Sequence, residues 1–213
     1  MNTIYQLLLL VPILLLSLSL HEFMHGYISH KLGDPTPKAQ GRLTLNPLAH
    51  LDLMGSLVLI ITRRFGWAKP VPINPNYYKN PRKGMMLVSL AGPGANFFLA
   101  ALFALIARLV VFSSSANLYQ LQMAGYSSLV ETFFAFFQLA IIINLSLAFF
   151  NLLPVPPLDG SKILMGILPP KFDHYIRKLE GPYGMILLIL LAYTGVLWGI
   201  IGPLVNTMYK ILL

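Results

Sequence analysis

The 213-residue chain contains no cysteine, which excludes a disulfide framework and thiol catalysis and leaves His, Asp and Glu as its possible metal ligands. Acidic residues are scarce, seven Asp and Glu in all, and charged residues make up only 10% of the sequence. A soluble domain carries about a quarter charged residues, so this composition cannot cover a water-facing surface. What fills the chain is apolar: 56% of residues are hydrophobic and the mean hydropathy is +0.71. Lipid is the solvent that suits it. At ~20 residues per crossing, the length accommodates about four spanning helices with one or two compact loop elements. The expectation is an all-α polytopic membrane protein built as one domain.

The net charge of +8 comes from 15 Lys and Arg residues. No RNA-binding signature or basic helix accompanies it, so nucleic acid is not an expected partner. The basic residues instead mark the sides of a membrane: nine fall within 31–83 and four within 162–178. Basic loops favour the cytoplasmic face. This charge map predicts both loops inside the cell, with the N-terminus, the uncharged 113–128 link and the C-terminus outside.

Long apolar runs predict a first helix over 4–30 and spans over 84–112, 129–153 and 184–209. The first run resembles a signal-peptide core. However, no Lys or Arg precedes it and no small-residue cleavage site follows, so it is expected to be retained. Between the first two spans, Arg42-Leu43-Thr44-Leu45 alternates with period two, as a short strand does. The apolar stretch 51–62 is too short to cross alone and reads as a re-entrant or interfacial piece. Region 31–62 is therefore expected to hold a small membrane-associated β element and a re-entrant segment.

Chemistry concentrates in His21-Glu22-Phe23-Met24-His25, which fits H-E-x-x-H. On a helix, residues four apart lie on one face about 6 Å apart in rise, so two imidazoles can reach one zinc ion with the glutamate beside its open position. Two buried histidines packed in a helix bundle are the structural alternative, a costly one in lipid. A third ligand is needed. Asp159 is the candidate, because it follows the end of the third predicted span, where Pro154, Pro156 and Pro157 break the helix and can fold the chain back. A turn or cap before 161–168 is the other reading of Asp159. His50 and Asp52, after the strand-like stretch, are alternative ligands, substrate-side groups or loop caps. His30, about 140° round the helix from His25, and His174, among charged neighbours, read as interfacial and solvated.

These residues resemble a known family. His21 to His25 on a membrane helix, Ala91-Gly92-Pro93-Gly94-Ala95-Asn96 on the next span, and Asn151 through Gly160 after the third are together similar to the site-2 proteases, intramembrane zinc metalloproteases. Asn46-Pro47-Leu48-Ala49-His50 followed by Asp52 resembles their compact bacterial and archaeal branch. The resemblance implies His21, His25 and Asp159 as ligands of one Zn2+ and Glu22 as the catalytic glutamate. It further implies Asn151, Asn46 and His50 as groups lining the site; for Asn151, a cap on its own helix is the structural alternative. Transmembrane proteins, such as anti-sigma factors or signal-peptide remnants, are the implied substrates. They would be cut in or near their spans at a site toward the cytoplasmic side of the cell membrane. No stretch is long enough for an appended PDZ or nucleotide-sensing domain, so one membrane-embedded domain over 1–213 is expected.

Two rival classes remain at this level. A transporter or an inactive scaffold would share the apolar helices, but no internal repeat is visible and all four zinc-site positions stand. A membrane di-iron oxygenase generally uses more histidines than the five present here.

Overall fold

The computed structural model describes residues 3–55, 57, 68–121 and 127–213. Helix α1 (Thr3–Lys31) leads into two short turns of helix, α2 (Thr36–Ala39) and α3 (Pro47–His50). The long α4 (Pro81–Leu121) and α5 (Ser127–Asn151) follow. Beyond the proline bend come α6 (Asp159–Ile167), α7 (Asp173–Lys178), α8 (Pro182–Tyr193) and α9 (Val196–Leu212). Leu7–Lys31, Pro81–Val111 and Ser128–Asn151 are each long and apolar enough to cross a membrane. The protein is a multi-pass membrane protein.

The expected span over 184–209 contains a sharp break. The segment is a pair of helices, Pro182–Tyr193 and Val196–Leu212, bent by 71°. The break has a local cause. Thr194 Oγ1 donates back to the carbonyls of Leu190 and Leu191, at 2.9 and 3.2 Å, and Gly195 takes a left-handed φ of 78°. That backbone suits glycine and ends a helix.

The expected β element is corrected, since no strand occurs among the described residues. Gly41 turns the chain with φ 66°, and the buried Arg42 sends Nη2 to the Lys69 carbonyl at 2.6 Å. What pairing exists is a single antiparallel bridge between Leu51 and Ala68, beside a Lys69 N–H to His50 O bond of 2.9 Å. The backbone that continues past this bridge carries Pro70 and Pro72, which have no N–H to extend a ladder. Half of the expected re-entrant piece 51–62, residues 56 and 58–62, lies outside the described residues.

The core joins α1, α4, α5 and α9 through Ile13, Leu99, Phe103, Ile141, Leu145 and Ile201. Small residues bring the helices close: Ala100, Ala104 and Ala140 are at most 1% exposed. Phe103 sits edge-on to Phe136 and Phe137, with centroids 6.1 and 5.9 Å away. Outward-facing Leu8, Phe98 and Trp198 present the apolar exterior that lipid accommodates.

Candidate metal centre

Helices α1 and α4 run antiparallel, and three contacts fix their register. Asn96 Nδ2 meets Ser17 O, Gly92 lies against His21, and Val88 O meets His25 Nδ1. Each step of four back along α4 is a step of four forward along α1, so the face carrying the histidines is the face pressed on α4. Gly92 makes the approach possible, since a Cβ there would lie 2.6 Å from His21 Cε1 and collide with the His25 ring as well.

The third element arrives from the proline bend after α5. The carbonyls of Leu152 and Leu153 leave no room for a side chain at Gly160. This tight fold-back turns the first residue of α6, Asp159, toward α1. Its Oδ2 lies 3.3 Å from His21 Nε2 and 3.2 Å from His25 Nε2, and the two Nε2 atoms are 3.0 Å apart. All three residues are buried. Among the described residues they form the one group of His, Cys, Asp or Glu able to hold a metal ion.

The donor set fits zinc. Val88 O can only accept, so His25 Nδ1 donates its proton there at 2.7 Å, leaving Nε2 with its lone pair. His21 Nδ1 donates likewise to Asn96 Oδ1 at 2.7 Å. The orientation of Asn96 is set in turn, because its Nδ2 donates to Ser17 O at 3.3 Å and to Asn144 Oδ1 at 3.1 Å. Two lone pairs and a carboxylate thus converge with no proton among them, an arrangement that calls for a cation. Ligands at ~2.0–2.1 Å around a tetrahedral ion sit about 3.3 Å apart, and the observed separations match. Asp159 completes the set with the carboxylate that a metal ligand requires.

Glu22 lies on the neighbouring face of α1 and accepts the Val71 backbone N–H at 2.8 Å on Oε2. Val71 itself is buried, with Cγ1 close over Gly26. The extended segment around it is pinned at Lys69 by Arg42 and at Asn74, whose N–H bonds Asp34 Oδ2 at 2.7 Å.

The remaining expected site residues do not join the cluster. Asn46 caps α3, its Oδ1 accepting from Leu48 N at 3.1 Å, and is exposed. His50 is 2% exposed and bonds Thr44 O through Nε2 at 2.8 Å, while Nδ1 has no partner. Asp52 accepts from Gly55 N in a local turn. Asn151 donates to Leu147 O at 3.0 Å on its own helix. Sequence reasoning missed Asn144 and Ser17 altogether and gave Asn96 no role. The available signal was an amide in the middle of an apolar run, which is costly without a task.

Comparison with known proteins points the same way. The sequence pattern of Peptidase family M50 matches residues 113–191. The chain is 39% identical over 198 residues to "Putative zinc metalloprotease YwhC" of Bacillus subtilis, covering 92% of this chain and 85% of that protein. It is 32% identical to "Putative zinc metalloprotease Rip2" of Mycolicibacterium smegmatis, covering 86% of this chain and 66% of Rip2. It is 24% identical to "Zinc metalloprotease MJ0392" of Methanocaldococcus jannaschii, spanning 45% of that longer protein. No solved structure matches the chain. Likeness to YwhC along nearly the whole sequence, joined to a donor set that suits zinc, places this chain in Peptidase family M50, the site-2 protease family of zinc metalloproteases.

Proposed function

We propose that this protein hydrolyses peptide bonds in or beside the transmembrane segments of other membrane proteins, with His21, His25 and Asp159 holding the zinc and Glu22 moving the proton. The observation that carries this reading is the meeting of three acceptor atoms, each within 3.3 Å of the others, two of them on the candidate membrane span Leu7–Lys31. His21 stands ten residues before the end of α1 at Lys31, ~15 Å along the helix axis. That depth suits a substrate presented by the bilayer rather than by water.

Zinc, when bound, supplies a Lewis acid that polarises the scissile carbonyl and lowers the pKa of an attacking water. Glu22 accepts the proton of that water and returns it to the leaving amine. Val71 N–H holds one oxygen of the Glu22 carboxylate, leaving Oε1 as the proton acceptor. Asn96 and Val88 keep both imidazoles in the tautomer whose Nε2 lone pairs face inward. Asp159, at the first turn of α6, contributes a carboxylate where the helix dipole favours one. A helical substrate must unwind before hydrolysis, because its carbonyls are occupied by its own hydrogen bonds.

The excess of basic residues in the loops supports a site toward the cytoplasmic face, with the N-terminus outside. Single-pass proteins such as anti-sigma factors and signal-peptide remnants are the substrate class we propose. The test is Glu22→Gln, assayed by cleavage of a single-pass substrate in proteoliposomes. Cleavage should vanish while zinc still co-purifies, and the variant should trap membrane peptides identifiable by mass spectrometry. Retained cleavage would remove Glu22 from the mechanism.

A further inference from the structure

A second cavity, of about 380 Å³, opens where the C-terminal end of α1 meets the start of α4. Its rim carries Lys31, Lys79 and Lys83, and its apolar wall is Leu32 and Leu87. No acidic residue lines it, and no ion pair among the described residues engages any of the three lysines. Lys31 Nζ instead stands 5.4 Å from the Tyr27 ring centroid. Three lysines thus line one cavity with no acidic residue among its lining.

The floor is rigid. Tyr78, 5% exposed, lies across α4 because Gly84 has no side chain; a Cβ there would come within 2.8 Å of Tyr78 Cγ. The tyrosine hydroxyl shares a 2.7 Å hydrogen bond with the buried Ser29. The cavity sits at the ends of two candidate spans, Leu7–Lys31 and Pro81–Val111. Its lysines are therefore at headgroup level, while Leu87 is six residues into α4, ~9 Å deeper along the axis. Charge at the surface and an apolar wall below it match an amphiphile standing in the bilayer. The positive end of the α4 dipole adds to the same field. A soluble polyanion would have no use for the apolar wall.

We propose that this cavity binds the phosphodiester headgroup of an anionic membrane lipid, with Lys31, Lys79 and Lys83 as the charged contacts and an acyl chain along Leu32 and Leu87. The site is separate from the metal centre, and the proposal stands whether or not the protease reading does. Basic pockets between membrane helices recognise such headgroups by charge and shape.

The test uses the full chain, purified in detergent, with native mass spectrometry of bound lipid. Phosphatidylglycerol and phosphatidylcholine of identical acyl chains are offered together. The wild-type protein should retain phosphatidylglycerol over phosphatidylcholine by at least about tenfold. K31Q/K79Q/K83Q should lose that preference, whereas K171Q/R177Q/K178Q, which removes the same charge from another loop, should keep it. The pair K79Q/K83Q carries the same comparison should the triple variant unfold. Equal retention of the two lipids by the wild-type protein would overturn the proposal, as would an equal loss in both triple variants. Displacement of the bound lipid by inorganic phosphate would reassign the site to a soluble anion and overturn it too.

Discussion

Replacing Gly92 by alanine tests the architecture of the metal centre at its tightest point. The added methyl would lie 2.6 Å from His21 Cε1 and closer still to the His25 ring. Carbon atoms rest about 3.5–4.0 Å apart, so the rings or the α4 backbone must retreat by roughly 1 Å. Neither imidazole can swing freely, since each Nδ1 is pinned by a 2.7 Å hydrogen bond and each Nε2 faces Asp159. A metal site keeps its ligand distances to about ±0.2 Å, and a shift five times larger cannot be absorbed there. Overpacking of this kind costs about 1–3 kcal/mol. The expected result is zinc affinity lowered by ~10–100-fold, with cleavage lost in proportion. Gly94→Ala is the paired control: nothing lies within 4 Å of its Cβ, and alanine favours the helix by ~0.5–1 kcal/mol. Zinc content of the purified variants, a chelator titration, melting temperature in detergent and cleavage of a single-pass substrate measure these effects. Full zinc occupancy and wild-type cleavage in Gly92→Ala would refute the reasoning.

Asn96→Ala should weaken zinc binding by ~10–100-fold, because His21 loses its Nδ1 partner and Asn144 Oδ1 its donor; a competition assay with a fluorescent chelator reads this directly. Asp159→Ala should lower the zinc content of the purified protein, measured by elemental analysis, since two imidazoles remain where three ligands stood. Stripping the metal with a chelator should lower the melting temperature and adding zinc should restore it, because a ligand of the native state alone stabilises that state. Burial would raise the pKa of Asp34, but hydrogen bonds from Thr36, Asn74 and Ser29 outweigh it and lower the value. Its stabilising contribution is thus complete above the ordinary carboxylate range near ~4 and fades as pH falls through the lower folded value. Asp34→Asn should therefore cost about 1–3 kcal/mol near neutral pH, and its gap from the wild type in melting scans should narrow below pH ~4.

The helices were legible because a membrane leaves few choices. A run such as 129–153, with one acidic residue, can satisfy its backbone in lipid only as a helix, and α5 spans Ser127–Asn151. The break at Thr194-Gly195 was less visible, since apolar residues on both sides disguise it; a glycine after a threonine in mid-run was the signal. The period-two pattern at Arg42–Leu45 misled for a different reason. Alternation describes two faces, but a strand also needs a partner edge, and the backbone beyond the Leu51–Ala68 bridge carries Pro70 and Pro72. Arg42 is buried because its guanidinium reaches a loop carbonyl 27 residues away, not because it faces one side of a sheet.

The site divides along the same line between what spacing encodes and what register encodes. H-E-x-x-H is local: a four-residue step on one helix specifies the pair His21 and His25 without any tertiary knowledge. Asp159 was reachable because a two-histidine pair demands a third ligand and the proline bend returns to the same side of the membrane. The groups that orient these ligands were out of reach. Asn96 is 75 residues from His21, Asn144 is 48 from Asn96, and Val71 is 49 from Glu22. An amide such as Asn144 in mid-membrane announces that it needs a partner, but which partner depends on how α4 and α5 slide against α1. One residue of slip would turn Gly92 away from the histidines and put the bulk of Ala91 or Pro93 nearer them. The small residue at 92, the acceptor carbonyl at 88 and the amide at 96 therefore work as one device. Spaced by four on α4 against a histidine pair spaced by four on α1, they make the register itself the element that orients the proposed zinc ligands.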